Sequence, residues 1–448
     1  MLKTISILLT VTLLSACNAM LYQPTETISE VTPNKGYRMK NALAESNDGN
    51  LIVLMFSGGG SRAAALGYGV LEQFKQVRIN HSTKPTLLDN IDMVFGVSGG
   101  SVLAAYLSIE GKDTVPKFEE NFLKRDFESQ LTGQLFSLSN LPRLTSDQFG
   151  RGDLLQEQLN LTLYGGKKFG DLSVRKGPLA VISATDMSMG QKVTFTQEFF
   201  DGLCLNLDDV EIARAVAASS AVPLVFSPIT FNNNGGNCGF VLPEVEQITS
   251  LEQLDSLRSK SVQEMRQSFS LYQNSKQRPF IHLVDGGLTD NLGLASLTDI
   301  YDAVGQQSIY QRVLQSGIKR IVVINVNAQN EVTSEIDQSA NIPRTLDVLN
   351  TIVNVPIDRN TQVTLRRFRE FTDEWNQAMQ KQPKHKRVDM HFVSLNLKDL
   401  PESTLKKDVL NISTSFYLPK SSVNKLKKAA QLLLQQSSEY RDMLKALQ

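Results

Sequence analysis

Ile91-Asp-Met-Val-Phe-Gly96-Val-Ser98-Gly-Gly100 is the stretch on which the fold turns. A short apolar run drops into Gly-x-Ser-x-Gly, and small and apolar residues follow at helical density over residues 101–107. Strand, sharp turn and helix form the setting of a nucleophile elbow, where a strained turn lifts a serine hydroxyl above the end of a sheet. Flanking glycines let strand and helix approach closely. The helix start also aims N–H groups and a positive dipole end at any anion formed near the serine. The plainer alternative is a glycine-rich turn in which Ser98 only caps the helix. A base and oxyanion donors nearby would decide between the two.

Both are present. A serine hydroxyl is a weak nucleophile at neutral pH, so it needs a proton acceptor, and its oxyanion needs preorganised donors. Upstream, Leu51-Ile-Val-Leu-Met-Phe56 reads as a buried strand ending in Ser57-Gly58-Gly59-Gly60-Ser61-Arg62. An amphipathic helix is expected next, with Ala63, Leu66, Gly67, Val70, Leu71, Phe74 and Val77 on one face. Three glycines allow backbone N–H groups to turn inward, and Arg62 adds positive charge or locks the loop. A nucleotide-binding loop reads differently, because no Gly-Lys-Ser/Thr and no Gly-x-Gly-x-x-Gly follows. Downstream, Pro279-Phe-Ile-His-Leu-Val284 runs into Asp285-Gly286-Gly287. An acid at the C-terminal end of a strand stands where α/β enzymes keep functional groups, although Asp-Gly is also an ordinary turn.

Taken together, Gly58-Gly-Gly-Ser-Arg62, Gly96-Val-Ser-Gly-Gly100 and Asp285-Gly-Gly287 resemble the patatin-like phospholipase family. Two other stretches are similar to that family's core: Ala180-Val-Ile-Ser-Ala-Thr-Asp186, and a small-residue helix from Ile212 that is expected to stop at Pro223. The resemblance covers residues 50–327. It implies Ser98 as nucleophile, Asp285 as base without a histidine, and an oxyanion hole from the backbone of Gly58, Gly59 and Gly60 with Arg62. It also implies a lipid ester, with phospholipid foremost, as substrate.

The histidines fit that implication. His282 falls three residues before Asp285 in the same strand, so the two side chains should face opposite ways. His385 sits in the basic patch 381–387, His391 opens a strand-like run, and His81 has no motif around it. No Cys/His cluster or His-Glu-x-x-His spacing suggests a metal, and no cofactor is implied. Lys plus Arg equals Asp plus Glu, 46 against 46, so no global field favours nucleic acid.

The N-terminus carries an address. Lys3 precedes an apolar core at residues 5–14 that is too short to span a bilayer, which reads as a secretory signal. It ends in Leu14-Ser15-Ala16-Cys17, which resembles a bacterial lipoprotein lipobox. That resemblance implies an acylated Cys17 anchored in the cell envelope, with Asn18 leaning toward the outer membrane. Export permits a disulfide between Cys204 and Cys238, and two free thiols are the alternative.

The expected organisation is a signal at 1–16, a tether at 17–49, a catalytic core at 50–330 and a C-terminal extension at 331–448 packed on the core. A charged helical insertion at 241–278 lies where a lid would sit. Helical stretches are expected near 342–353 and 362–380, and the lysine- and glutamine-rich terminal helix is expected to pack on the domain. The fold class is α/β, a three-layer sandwich around a mainly parallel sheet. The function expected is lipid acyl hydrolysis. A small-ester carboxylesterase and a non-catalytic membrane-tethered scaffold are the alternatives.

Overall fold

Continuous apolar runs, without polar alternation, suit strands covered on both faces. The computed structural model describes residues 22–45, 48–80, 84–242, 263, 266–329 and 340–448. Strands β1 (Asn50–Phe56), β2 (Met93–Val97) and β3 (Leu179–Asp186) are buried along almost their whole length. They are followed by β4 (Gln191–Thr194), β5 (Ile229–Asn232), β6 (Phe280–Val284), β7 (Arg320–Asn327) and β8 (Asp389–Asn396). The sheet order is β5-β6-β3-β2-β1-β7-β8, with β4 pairing β3 outside this path. Pairings among β1, β2, β3, β7 and β8 are parallel. Those involving β4, β5 and β6 are antiparallel. This is the expected mainly parallel sheet of a three-layer α/β sandwich.

Helices α1 (Gly60–Phe74) and α2 (Gly99–Glu110) follow β1 and β2, and α3 (Ile212–Ser219) precedes β5. α4 (Thr345–Gln380) leads to β8, and α5 (Lys420–Gln436) comes after it. Several expectations are corrected. α1 is not amphipathic in place: every residue from Gly60 to Leu71 is buried. The reason is α5, which lays Val423, Leu426, Ala429, Ala430, Leu433 and Leu434 inward and ion-pairs Lys427 to Glu72 at 2.8 Å. Val77 lies beyond the end of α1. The two helices expected near 342–353 and 362–380 are one helix of 36 residues that runs through Pro356. Its Trp375 is buried and donates to Val388 O at 2.8 Å. α3 ends at Ser219, short of Pro223.

The tether expected at 17–49 is instead largely a strap. Tyr37 is buried and its hydroxyl donates to Ala180 O at 3.0 Å. Arg38 and Asp201 form a buried ion pair at 2.8 Å, which a free tether would have no reason to make. Near its start, Tyr22 N–H donates to Gln148 Oε1 and the Tyr22 ring meets Phe280 edge-on. Cys204 and Cys238 are joined, with Cα atoms 5.5 Å apart.

Residues 1–16, Cys17 and His81 lie outside the described residues. So does most of the expected insertion, 243–262 and 264–265. Its described end carries Tyr272, whose hydroxyl donates to the buried carboxylate of Asp186 at 2.9 Å. Among the described residues no helix is long and apolar enough to cross a membrane.

Candidate active site

β2 delivers Ser98 to a turn that α2 continues. Ser98 has φ 50° and ψ −126°, a backbone conformation that few residues other than glycine adopt. Such strain persists only where surrounding contacts impose it. Here the Ser98 N–H donates to Ser219 Oγ at 2.8 Å. The Ser98 carbonyl accepts from Ser101 N at 2.8 Å and Ser101 Oγ at 2.6 Å. The residue is 6% exposed.

Asp285 reaches the same place by an unexpected route. β6 runs antiparallel to β3, pairing Val284 with Thr185. Asp285 therefore enters from beyond the sheet end rather than rising out of it with the parallel strands. Backbone contacts hold it: Asp285 N donates to Ala221 O at 3.0 Å, and Gly286 N to Ser219 O at 3.1 Å. Oδ1 accepts from Gly287 N at 2.8 Å, whereas Oδ2 is buried without an aligned partner. Burial pushes the carboxyl up from 3.8 to about 6, and the nearby Ser98 hydroxyl and Gly287 N–H offset part of that rise. Serine and aspartate are thus brought together, with one carboxylate oxygen left over to take a proton.

Ser219 ties these halves together. Its hydroxyl accepts from Ser98 N–H and donates to Ser183 O at 2.6 Å, while its carbonyl holds Gly286. Ser219 was not among the residues expected at the site. A hydroxyl within a run of alanines was the available signal.

The glycine loop divides its labour differently from expectation. Gly58 N–H is already spent on Asn291 O at 3.0 Å, so it is no oxyanion donor. Arg62 donates through Nε to Ala328 O at 2.7 Å and through Nη1 to Ile412 O. It therefore clamps the loop, and burial lowers its pKa to about 10, which still leaves it charged near neutrality. Among the described residues no hydrogen bond occupies the N–H groups of Gly59 and Gly60, which have φ 132° and 58°. The N–H of Gly99, next to the serine, is equally unspent and was not foreseen. A Cβ on Gly99 would lie 2.0 Å from Gly60 O, so elbow and loop are in backbone contact. Loop and elbow therefore lie side by side, with the N–H groups of Gly59, Gly60 and Gly99 unspent among the described residues.

The histidines stand apart. His282 is exposed, and its Nδ1 meets Thr230 Oγ1 at 2.9 Å. His391 lies on β8 at the far edge of the sheet, and His385 is exposed in a basic turn. Beside the Asp285 backbone lies a cavity of about 490 Å³, walled by Met187, Leu224, Phe226, Pro228, Val284 and Leu288. Met187 and Leu224 are more than half exposed at its rim. Another cavity, of about 260 Å³, lies under the N-terminal strap and is lined mainly by polar residues, among them Glu26, Arg38 and Asp201.

Comparison with known proteins places the chain in a family. The model of the patatin-like phospholipase family matches residues 54–298, more than half of the chain. No curated protein matches. Among solved structures the chain is similar to human GIVD cytosolic phospholipase A2, with 13% identity and a TM-score of 0.47. The match covers 91% of this chain and 64% of that one. Similarity to VipD from Legionella pneumophila covers 94% and 72%, with 11% identity and a TM-score of 0.31. For the type III effector ExoU of Pseudomonas aeruginosa the figures are 90%, 79%, 15% and 0.24. The family model spans the glycine loop, the elbow and the Asp-Gly-Gly turn, and by that match the chain belongs to the patatin-like phospholipase family.

Proposed function

We propose that this protein is a serine lipid acyl hydrolase working through Ser98 and Asp285. The observation that carries the reading is the buried Asp285 carboxylate, one oxygen unpaired, beside a serine on a strained elbow. Ser98 Oγ attacks the acyl carbonyl carbon while its proton passes to Asp285. The oxyanion is held by the N–H groups of Gly60 and Gly99, helped by the start of α2. Collapse breaks the ester bond, and the leaving alcohol takes the proton back. Water, deprotonated by Asp285, then attacks the acyl-serine and releases the fatty acid.

The apolar cavity favours long acyl chains over small esters. Each buried methylene contributes about 0.8 kcal/mol, so four of them give about 10²-fold in kcat/KM. The full chain should therefore prefer phospholipid, lysophospholipid or neutral esters of long acids over acetyl esters by that order. Equal rates on acetyl and long-chain esters would make it a small-ester carboxylesterase. No turnover on any ester and no labelling by a fluorophosphonate would make it a scaffold.

Anchoring through Cys17 in the cell envelope, at the outer membrane, belongs to the same proposal. Tyr22 is held at Gln148 and Asn232. Cys17 lies five residues earlier, a span of at most about 18 Å fully extended. An acylated Cys17 thus brings this face close to the bilayer. Cys17→Ser should remove the lipid and release the chain from the membrane fraction. A mature N-terminus found unmodified by mass spectrometry, and starting elsewhere, would overturn the anchor.

A further inference from the structure

The oxyanion loop is braced by a segment far outside the family match, the connection at residues 411–419 that precedes α5. Ser61 N–H donates to Ser415 O at 2.8 Å, and Arg62 reaches Ile412 O. A Cβ on Gly60 would lie 2.5 Å from Ser415 O and 3.0 Å from Ser415 N, so the two backbones touch. This brace is itself irregular chain, with no strand or helix ladder to hold it. Phe416 anchors it. Its half-buried ring packs between Phe127, 5.7 Å between centroids, and Phe226, 5.6 Å and edge-on at 88°. Phe226 also lines the apolar cavity.

We infer that Phe416 is a positioning residue for the hydrolysis: it wedges Ser415 against the oxyanion loop while backing the cavity wall. The inference rests on the reading of Gly60 as an oxyanion donor. It means that the catalytic unit includes the C-terminal extension, and that an acyl chain in the cavity and the oxyanion donors share one aromatic ring as a support. A loop backbone without ladder bonds is set by its side-chain anchors, and a misplacement of about 1 Å at a reacting centre costs up to about 10² in rate.

The full-length chain in detergent micelles, assayed on a short and a long p-nitrophenyl ester, tests this. Phe416→Ala should lower kcat on both esters by about tenfold to 10²-fold, with the short ester's KM within about twofold. Fluorophosphonate labelling of Ser98 should slow in parallel, and Phe416→Leu should recover most of both. A variant that raises only the long ester's KM would reduce Phe416 to a cavity wall and overturn the inference. So would a lowered melting temperature with wild-type kcat and labelling well below it. Should Phe416→Ala not fold, Phe416→Leu carries the test, with a kcat loss of about threefold on both esters expected and an unchanged kcat overturning it. A wild-type chain that neither turns over nor labels removes the dyad reading, and this inference with it. An active wild type with an indifferent Phe416→Ala removes this inference alone.

Discussion

Ser98→Ala and Asp285→Asn are each expected to cut ester turnover by at least about 10⁴-fold, and the double variant to be no worse than either. Groups that work as one unit lose their function together. The pH dependence should carry the signature of the base. Asp285 must be ionised to accept the proton, and burial raises it from 3.8 to about 6. kcat/KM should therefore climb on the acid side with an apparent pKa near 6. Stability should move the other way. The folded chain holds this proton more tightly than the unfolded chain, so the favourable contribution is complete below 3.8 and lost as pH rises through about 6. Asparagine has no proton to lose. Asp285→Asn should thus gain up to about 3 kcal/mol above that range and little near pH 4. Calorimetry at the two extremes checks it. Substantial turnover in Asp285→Asn, or a matching loss in His282→Ala, would move the base elsewhere.

The second large effect is at Gly60. A valine there meets Ser415 O at 2.5 Å and must adopt φ 58°. With one donor displaced, kcat should fall about 10²- to 10³-fold while KM changes little, since the interaction belongs to the transition state. Strain alone has a ready control in Gly165, with φ 59° and nothing within 4 Å of a Cβ. Gly165→Val should lose stability but keep kcat. If both variants behave alike in kcat, the loss is backbone strain and the oxyanion hole lies elsewhere.

What the sequence made legible, and what it did not, divides by range. The runs that became β1, β2 and β3 were readable because each is largely apolar and local, and the run that became β8 because Met390–Leu397 alternates. The serine, aspartate and glycine loop were readable because short motifs prescribe turn geometry. Strand sense was not: β6 has the composition of a parallel strand, and only its pairing with β3 and β5 shows that it enters backwards. The clamp of Arg62 on Ile412 joins residues 350 apart, and no periodicity records such a contact. α1 shows the same limit, because a spacing fit for one buried face says nothing of α5 arriving on the other. Gly58 looked like a donor because a backbone N–H carries no mark of being spent already on Asn291.

The antiparallel entry of β6 also bears on how such an enzyme can diversify. β5 and β6 pair directly, Ile229 with Leu283 and Asn232 with Phe280, although a long stretch of chain separates them. The disulfide at Cys238 fastens the beginning of that stretch, and Tyr272 on Asp186 fastens its end. With both feet fixed, chain added between them strains neither the sheet nor Asp285, and each doubling of its length costs only about 0.6 kcal/mol in closure entropy. The length of this stretch can therefore change without moving Asp285, the proposed proton acceptor.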